Sequence, residues 1–206
     1  RRLDFMGESL GELASHVRVR LADDQRGDGG GVVAEVRARS CADLEDAAQT
    51  AYLERTLPHI ISPECGLVYT PAIVGQEDWK GGVQYRAFAS DCKFARDYFI
   101  RAATHMEHFT PVSPGAALFR TSDLRKHMLT ELPGVQGYDF ARYGAGVDWL
   151  IYTLTALNYH HVAYVAEPLV YFHAHAGSIS IHNEDNQVPM GYALAKKWLT
   201  MAVKGL

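Results

Sequence analysis

The sequence predicts an α/β protein. Three observations lead there. Val17–Leu21 (VRVRL) alternates with the period of a half-buried strand, and Cys65–Thr70 (CGLVYT) reads as a second strand. Asp148 opens a run in which Leu150, Ile151, Leu154 and Leu157 recur at helical spacing. Two short strands follow that run at once, His161–Ala166 and Leu169–Phe172, divided by Glu167 and Pro168.

The remaining elements read in order. Phe5–Leu13 reads as the end of a helix, with Phe5, Met6, Leu10 and Leu13 apolar. The VRVRL strand runs into a turn rich in Asp and Gly, which holds Asp23 and Asp24. Val32–Arg37 is a further strand, followed by an acidic cluster at Asp43, Glu45 and Asp46. Thr50–Ile61 is a helix with Leu53, Leu57, Ile60 and Ile61 on one face, and Pro63 closes it. Gln76–Gly82 is a polar turn, and Val83–Ala89 is extended. Asp91–His108 reads as a helix whose aromatics, Phe94, Tyr98 and Phe99, belong to the core. Thr110–Arg120 is a segment rich in small residues, and Thr121, Ser122 and Asp123 supply capping residues for a helix. Pro133–Tyr143 is a loop rich in glycine and aromatics. Asn158 ends the Asp148 helix. The last strand delivers His173 and His175 into an Ala-Gly-Ser loop, and Met190–Leu206 is a closing helix.

Composition excludes several classes. With 206 residues the chain can bury a full core. A net charge of -4 gives no basic field for nucleic acid. No apolar run approaches the roughly 20 residues that a membrane span requires. Cys41, Cys65 and Cys92 fit neither zinc spacing nor a disulfide framework, which points to a reducing, cytoplasmic setting. No signal peptide is visible, and Arg1 is not a natural start.

Each candidate site residue carries a functional and a plainer reading. Asp23 and Asp24 can accept from imide and hydroxyl donors at a strand's carboxyl edge, or form a solvated turn. Asp43, Glu45 and Asp46 offer oxygen ligands to a hard cation, or stabilise a following helix through its dipole. Asp148 is a base at a helix start, or a cap. His173 and His175 share a strand face at period 2. His105 and His108 stand three apart, with no third ligand clearly spaced to complete a metal site. Gly115 and Ala116 allow close backbone approach to a sugar, or simply pack. Tyr138 and Tyr143 suit stacking on a sugar ring, or packing. Lys196, Lys197 and Lys204 give the last helix a mildly basic side. That side suits a membrane surface, although docking back on the domain explains so small a patch better.

The stretch from Asp148 to Ser180 resembles the C-terminal half of inverting family 2 glycosyltransferases. Asp148, Glu167, Pro168, Leu169, Tyr171, His175, Ser178 and Ser180 follow that family's order of acidic residue, helix, Glu-Pro-Leu, Tyr, His, Ser and Ser, with His173 in place of the family's arginine. Aligning Tyr52-Leu53-Glu54 with the family's "Y-L-E" sets Asp43, Glu45 and Asp46 on its "L-D-x-D-D" metal motif, with Glu45 where aspartate is usual. The Thr110–Arg120 segment resembles the family's acceptor-side "F-R-R" segment. The family's first strand, "V-S-V-I-I-P-x-Y-N", is absent, and the interval from Asp24 to Asp43 is short, so the nucleotide half is abbreviated.

The resemblance implies a Rossmann-like, glycosyltransferase A-type fold with a largely parallel mixed sheet flanked by helices. It implies a single domain, with a partial nucleotide-sugar half at 1–62, an acceptor half at 63–181 and a helical tail at 182–206. The implied activity transfers a sugar, with inversion, from a nucleoside diphosphate sugar to a saccharide or lipid-linked hydroxyl, in polysaccharide or glycoconjugate synthesis. Asp23 and Asp24 would contact the nucleoside. Asp43, Glu45, Asp46 and His175 would hold Mn²⁺ or Mg²⁺, and Asp148 would be the catalytic base. Two other readings remain open: a non-catalytic, degenerate relative that keeps a binding or oligomerisation surface, and a metal-binding module built on His173, His175 and His182.

Overall fold

The computed structural model describes residues 17–18, 35–36, 42–75, 82–105, 109–174 and 186–203, with side chains described from Thr50 onward. The helix expected at Phe5–Leu13, the Asp23–Asp24 turn, and His108, His175, His182 and Lys204 lie outside the described residues. The chain divides into two compact units, Arg1–Thr50 and Ala51–Leu206.

In the first unit, strands β1 (Val17–Arg18) and β2 (Glu35–Val36) pair antiparallel, Val17 with Val36 and Arg18 with Glu35. Both fall inside the strands expected from sequence. Helix α1 (Ala42–Ile60) begins in this unit, and its residues from Ala51 on belong to the second. The helix therefore starts earlier than Thr50 and takes in the acidic cluster, so Asp43, Glu45 and Asp46 lie on its opening turns rather than in a preceding loop.

The second unit is an α/β arrangement of mixed sheets flanked by helices. A four-stranded sheet has the order β6 (Cys92–Ala95), β8 (His161–Tyr164), β3 (Cys65–Tyr69), β7 (Ala117–Phe119). A three-stranded sheet has the order β5 (Val83–Tyr85), β4 (Ala72–Gly75), β9 (Val170–His173). β3 and β8 run parallel, and so do β4 and β9. The other described pairings are antiparallel. The expected mixed sheet flanked by helices is found, but its largely parallel character is corrected: two of the six described pairings are parallel. The edge strands β5, β6 and β7 return through connections that reverse direction, and reversed neighbours pair antiparallel.

Two chain segments pair twice. β3 continues into β4 and β8 into β9, with a break in both at the same level. The Thr70 hydroxyl ties that break together: it donates to the Glu167 carbonyl and accepts from Leu169 N at 3.2 Å. Asp91 and Glu167 both pair with Arg55 of α1, at 2.9 and 3.6 Å. The glutamate of the Glu-Pro-Leu segment is therefore held against a helix.

The segment at 91–95 differs from expectation. Cys92–Ala95 is a strand, and the helix, α2 (Arg96–His105), starts only after it. The strand forms because Phe94 pairs opposite Val162 and buries its ring, while Lys93 and Ala95 stay exposed. Long-range pairing here outweighs a helix-compatible local pattern. Phe94 and Phe99 join the core as expected, whereas Tyr98 is 46% exposed. Phe94 packs against Phe88, Phe99 and Phe109 at centroid distances of 5.1 to 6.2 Å, and the Tyr69 hydroxyl donates to the Phe109 carbonyl.

Helices α3 (Thr121–His127), α4 (Phe140–Tyr143), α5 (Val147–Leu157) and α6 (Gln187–Ala202) complete the unit. α5 packs against β3, α2, α3 and α6. Arg120, just before α3, donates to the carbonyls of Ile60, Ser62 and Cys65 at 2.6 to 2.8 Å, and its guanidinium lies over the Tyr159 ring. That one side chain satisfies carbonyls at the end of α1 and the entry to β3, so the arginine of the "F-R" segment serves structure. Ile61, expected on the buried face of α1, is 67% exposed because the helix has ended. Among the described residues no helix is long and apolar enough to cross a membrane.

His127 is buried between α3 and α5. Its Nδ1 meets Thr155 Oγ1 at 3.1 Å, and Asn158 Nδ2 donates to its Nε2 at 3.2 Å. An Nε2 that accepts a hydrogen bond must be bare, so the ring is neutral with its proton on Nδ1. Burial holds its pKa below 6.5, with the Lys126 charge adding to the effect. A depressed folded-state pKa makes this group's stabilisation complete above pH 6.5, and it is lost as the pH falls from there towards the lower folded value. The destabilisation caused by His127→Gln should therefore be larger at pH 7.5 than at pH 5.0. Urea denaturation of both proteins measures it, and a difference independent of pH would contradict the assignment.

Candidate active site at the start of α5

α5 climbs β3 from the carboxyl edge of that strand to its amino edge. Tyr152, in mid-helix, stacks on Phe119, whose partner across the sheet is Leu67. Tyr159, just past the helix end, covers Gly66, where an added Cβ would come within 2.8 Å of its ring. The start of α5 therefore stands at the carboxyl end of the parallel β3–β8 pair, the edge at which open α/β sheets bind ligands.

The helix start is built from glycine. Gly144 and Gly146 have φ of 65° and 88°, left-handed values that other residues rarely adopt. Gly146 also touches α6: a Cβ there would lie 2.6 Å from the Gly191 carbonyl oxygen. Gly191 is equally closed in, against the Tyr138 hydroxyl and the Ala145 carbonyl. Two facing glycines thus let the first turns of α5 and α6 meet backbone to backbone.

That approach brings Tyr192 to Asp148. The Tyr192 hydroxyl donates to Asp148 Oδ2 at 2.6 Å, and Trp149 N donates to Oδ1 at 2.8 Å. Burial pushes the Asp148 carboxyl above the ordinary aspartate range, while the Tyr192 hydroxyl and the amides of the helix start pull the other way. Burial, then the nearby Asp148 charge, pushes the Tyr192 phenol well up. Tyr152 lies in the same field, and burial, with Asp148 and Tyr192 adding to it, keeps its phenol neutral. The site is a carboxylate at a helix N-terminus with raised basicity, hydrogen-bonded to one neutral phenol, Tyr192. It can accept a proton from a hydroxyl.

Among the residues expected to contact the nucleoside, hold the cation or act as base, only Asp148 has a described side chain. Asp23, Asp24 and His175 lie outside the described residues, as do the side chains of Asp43, Glu45 and Asp46. His173 ends β9, opposite Gly75. Among the described residues no three His, Cys, Asp or Glu side chains come together in a metal-binding group. His105 Nδ1 lies 2.8 Å from the Arg101 carbonyl of its own helix. Ala116 is fully buried, and its carbonyl accepts from Thr70 N, which bears out the packing reading; Gly115 is exposed and faces the Phe172 ring. Tyr138 and Tyr143 line a groove of about 820 Å³ with Asp139, Arg142 and Gln187. Their rings pack on each other at 5.4 Å, and the Tyr138 hydroxyl donates to the Gln187 carbonyl.

The sequence reading missed Tyr192 and Tyr152. A signal for Tyr192 was present: it shares helical spacing with Ala195 and Leu199, both buried against the body of the unit. α6 therefore docks back on the domain. Lys196, assigned to a basic side, turns inward, with Nζ 3.4 Å from the Thr104 carbonyl and 6.0 Å from the Trp149 ring centre. In comparisons with protein-family models, curated proteins and solved structures, nothing matches this chain.

The Tyr152 hydroxyl is buried with no hydrogen-bond partner among the described residues, a state that costs about 1–3 kcal/mol. Tyr152→Phe removes the orphaned group and keeps the ring on Phe119. The variant should be as stable as the wild type or more so, by up to about 2 kcal/mol in urea denaturation. A loss of more than about 1 kcal/mol would mean that the hydroxyl has a partner in solution.

Proposed function

We propose that this chain is an inverting, nucleotide-sugar-dependent glycosyltransferase of the A-type fold, and that Asp148 is its base. The observation that carries the proposal is the setting of Asp148. The carboxylate stands at the carboxyl edge of a parallel strand pair, on a helix N-terminus, with its pKa raised by burial. A base in that setting stays ionised yet gains affinity for a proton, as attack by an acceptor hydroxyl on an anomeric carbon demands. The order of Asp148, Glu167-Pro168-Leu169, Tyr171, His175 and Ser178 supports the same reading.

In this reading the acceptor is a saccharide or lipid-linked alcohol. Its hydroxyl passes its proton to Asp148 as the sugar–oxygen bond forms and the bond to the nucleoside diphosphate breaks. Asp23 and Asp24 would contact the nucleoside. Asp43, Glu45 and Asp46 would hold Mn²⁺ or Mg²⁺; a carboxylate-rich donor set suits such hard cations, and Asp43 and Asp46 lie about one turn apart on α1. The cation would supply positive charge to the departing diphosphate.

Calorimetry with UDP and GDP tests the donor side. Binding should require Mn²⁺ or Mg²⁺ and should vanish in the Asp43→Ala, Asp46→Ala double variant. Equal affinity in EDTA would remove the metal assignment, and no binding of either nucleotide with metal present would count against the reading as a whole.

A further inference from the structure

We propose that Tyr192, on the C-terminal helix, is a positioning residue for Asp148. It fixes the carboxylate's rotamer and favours its ionised form, which makes α6 part of the reactive site rather than a tail. The inference rests on the glycosyl-transfer reading only where it assigns Asp148 a catalytic task; the bond itself stands on geometry.

That geometry is specific. A 2.6 Å bond joins a neutral phenol to a carboxylate oxygen, and hydrogen bonds to charged groups are among the strong ones. The two helices can approach this closely only because Gly146 and Gly191 lack side chains. Burial holds the Tyr192 hydroxyl protonated over the whole working pH range, so it remains a donor. Asp148 Oδ1 accepts from the Trp149 amide and Oδ2 from Tyr192, and the amides of Gly146 and of Asp148 itself add to the hold on the carboxylate.

The groups that face this carboxylate are few. Tyr192 comes from α6, and the amides of Gly146, Asp148 and Trp149 come from the helix start; Tyr152, on the next turn of α5, feels the charge without bonding to it. Tyr138 stands behind Tyr192, and Lys196, the nearest described cation on α6, is directed to Thr104 and Trp149. No described cation therefore helps to hold Asp148 ionised, and the Tyr192 hydroxyl opposes the desolvation of the carboxylate almost alone among side chains.

The test is a ¹³C NMR titration of the Asp148 carboxyl in the full chain, assigned by its loss in Asp148→Asn. Tyr192→Phe should raise the titration midpoint, a three- to ten-fold drop in the acid dissociation constant, while Tyr152→Phe leaves it in place. Replacing Tyr192 with 3,5-difluorotyrosine, a stronger donor of the same shape, should lower the midpoint and serves if the phenylalanine variant does not fold. In sugar transfer from UDP-glucose, the acidic limb of the pH profile should move with the midpoint. A midpoint unmoved by either replacement overturns the inference, whatever the transfer assay gives. A midpoint that moves in a protein without transfer supports the Tyr192 bond and counts against the glycosyl-transfer reading instead.

Discussion

Two glycines set the distance between α5 and α6, and the candidate site follows from that distance. With any side chain at Gly146 or Gly191 the first turns of the two helices would be pushed apart. Tyr192 would then lose Asp148, and Tyr138 would lose its bond to the Gln187 carbonyl. A close approach of backbone on backbone is what allows a phenol from the end of the chain to reach a carboxylate at the sheet's carboxyl edge. α5 in turn lies on β3 and between α2 and α3, so the core of this unit and its site share one helix.

Polar hubs keep the strands beneath that helix in register. Arg120 gathers three carbonyls at the amino end of β3, and Thr70 joins two chain segments at the carboxyl end. Each hub satisfies backbone groups at places where regular pairing stops, and such groups are costly when buried without partners. The parallel pair β3–β8 is thereby fixed at both ends, and the level of Asp148 above it is fixed as well.

Much of this was legible in the sequence, for reasons that differ from element to element. The α5 helix and the strand after it carry strong periodicity and clear stops, and both stand where the pattern set them, within two residues. The strand at Cys92–Ala95 was not legible, because a four-residue segment beside a helix takes its form from a partner about seventy positions away. The antiparallel majority of the described pairings was hidden for the same reason: pairing partners are long-range, and local patterns say nothing of direction. At the site, Asp148 stood out by its place before an apolar run. Tyr192 did not, since an aromatic on the buried face of a helix looks like core until the facing carboxylate is known. The opening of α1 at Ala42 was masked by an acidic stretch that suits a loop and a helix N-terminus equally well.

The account stands or falls on Asp148 as a base rather than a cap. Asparagine at this position still accepts from the Trp149 amide through Oδ1, and its Nδ2 can donate to the Tyr192 hydroxyl oxygen, so the helix start is preserved. The decisive measurement is turnover of Asp148→Asn in sugar transfer from a nucleoside diphosphate sugar, alongside its urea stability and its affinity for the nucleotide. The account predicts near-normal folding, near-normal nucleotide binding and a fall in turnover on the order of 10² or more. Transfer within a few-fold of the wild type, in a folded and nucleotide-bound variant, would contradict it.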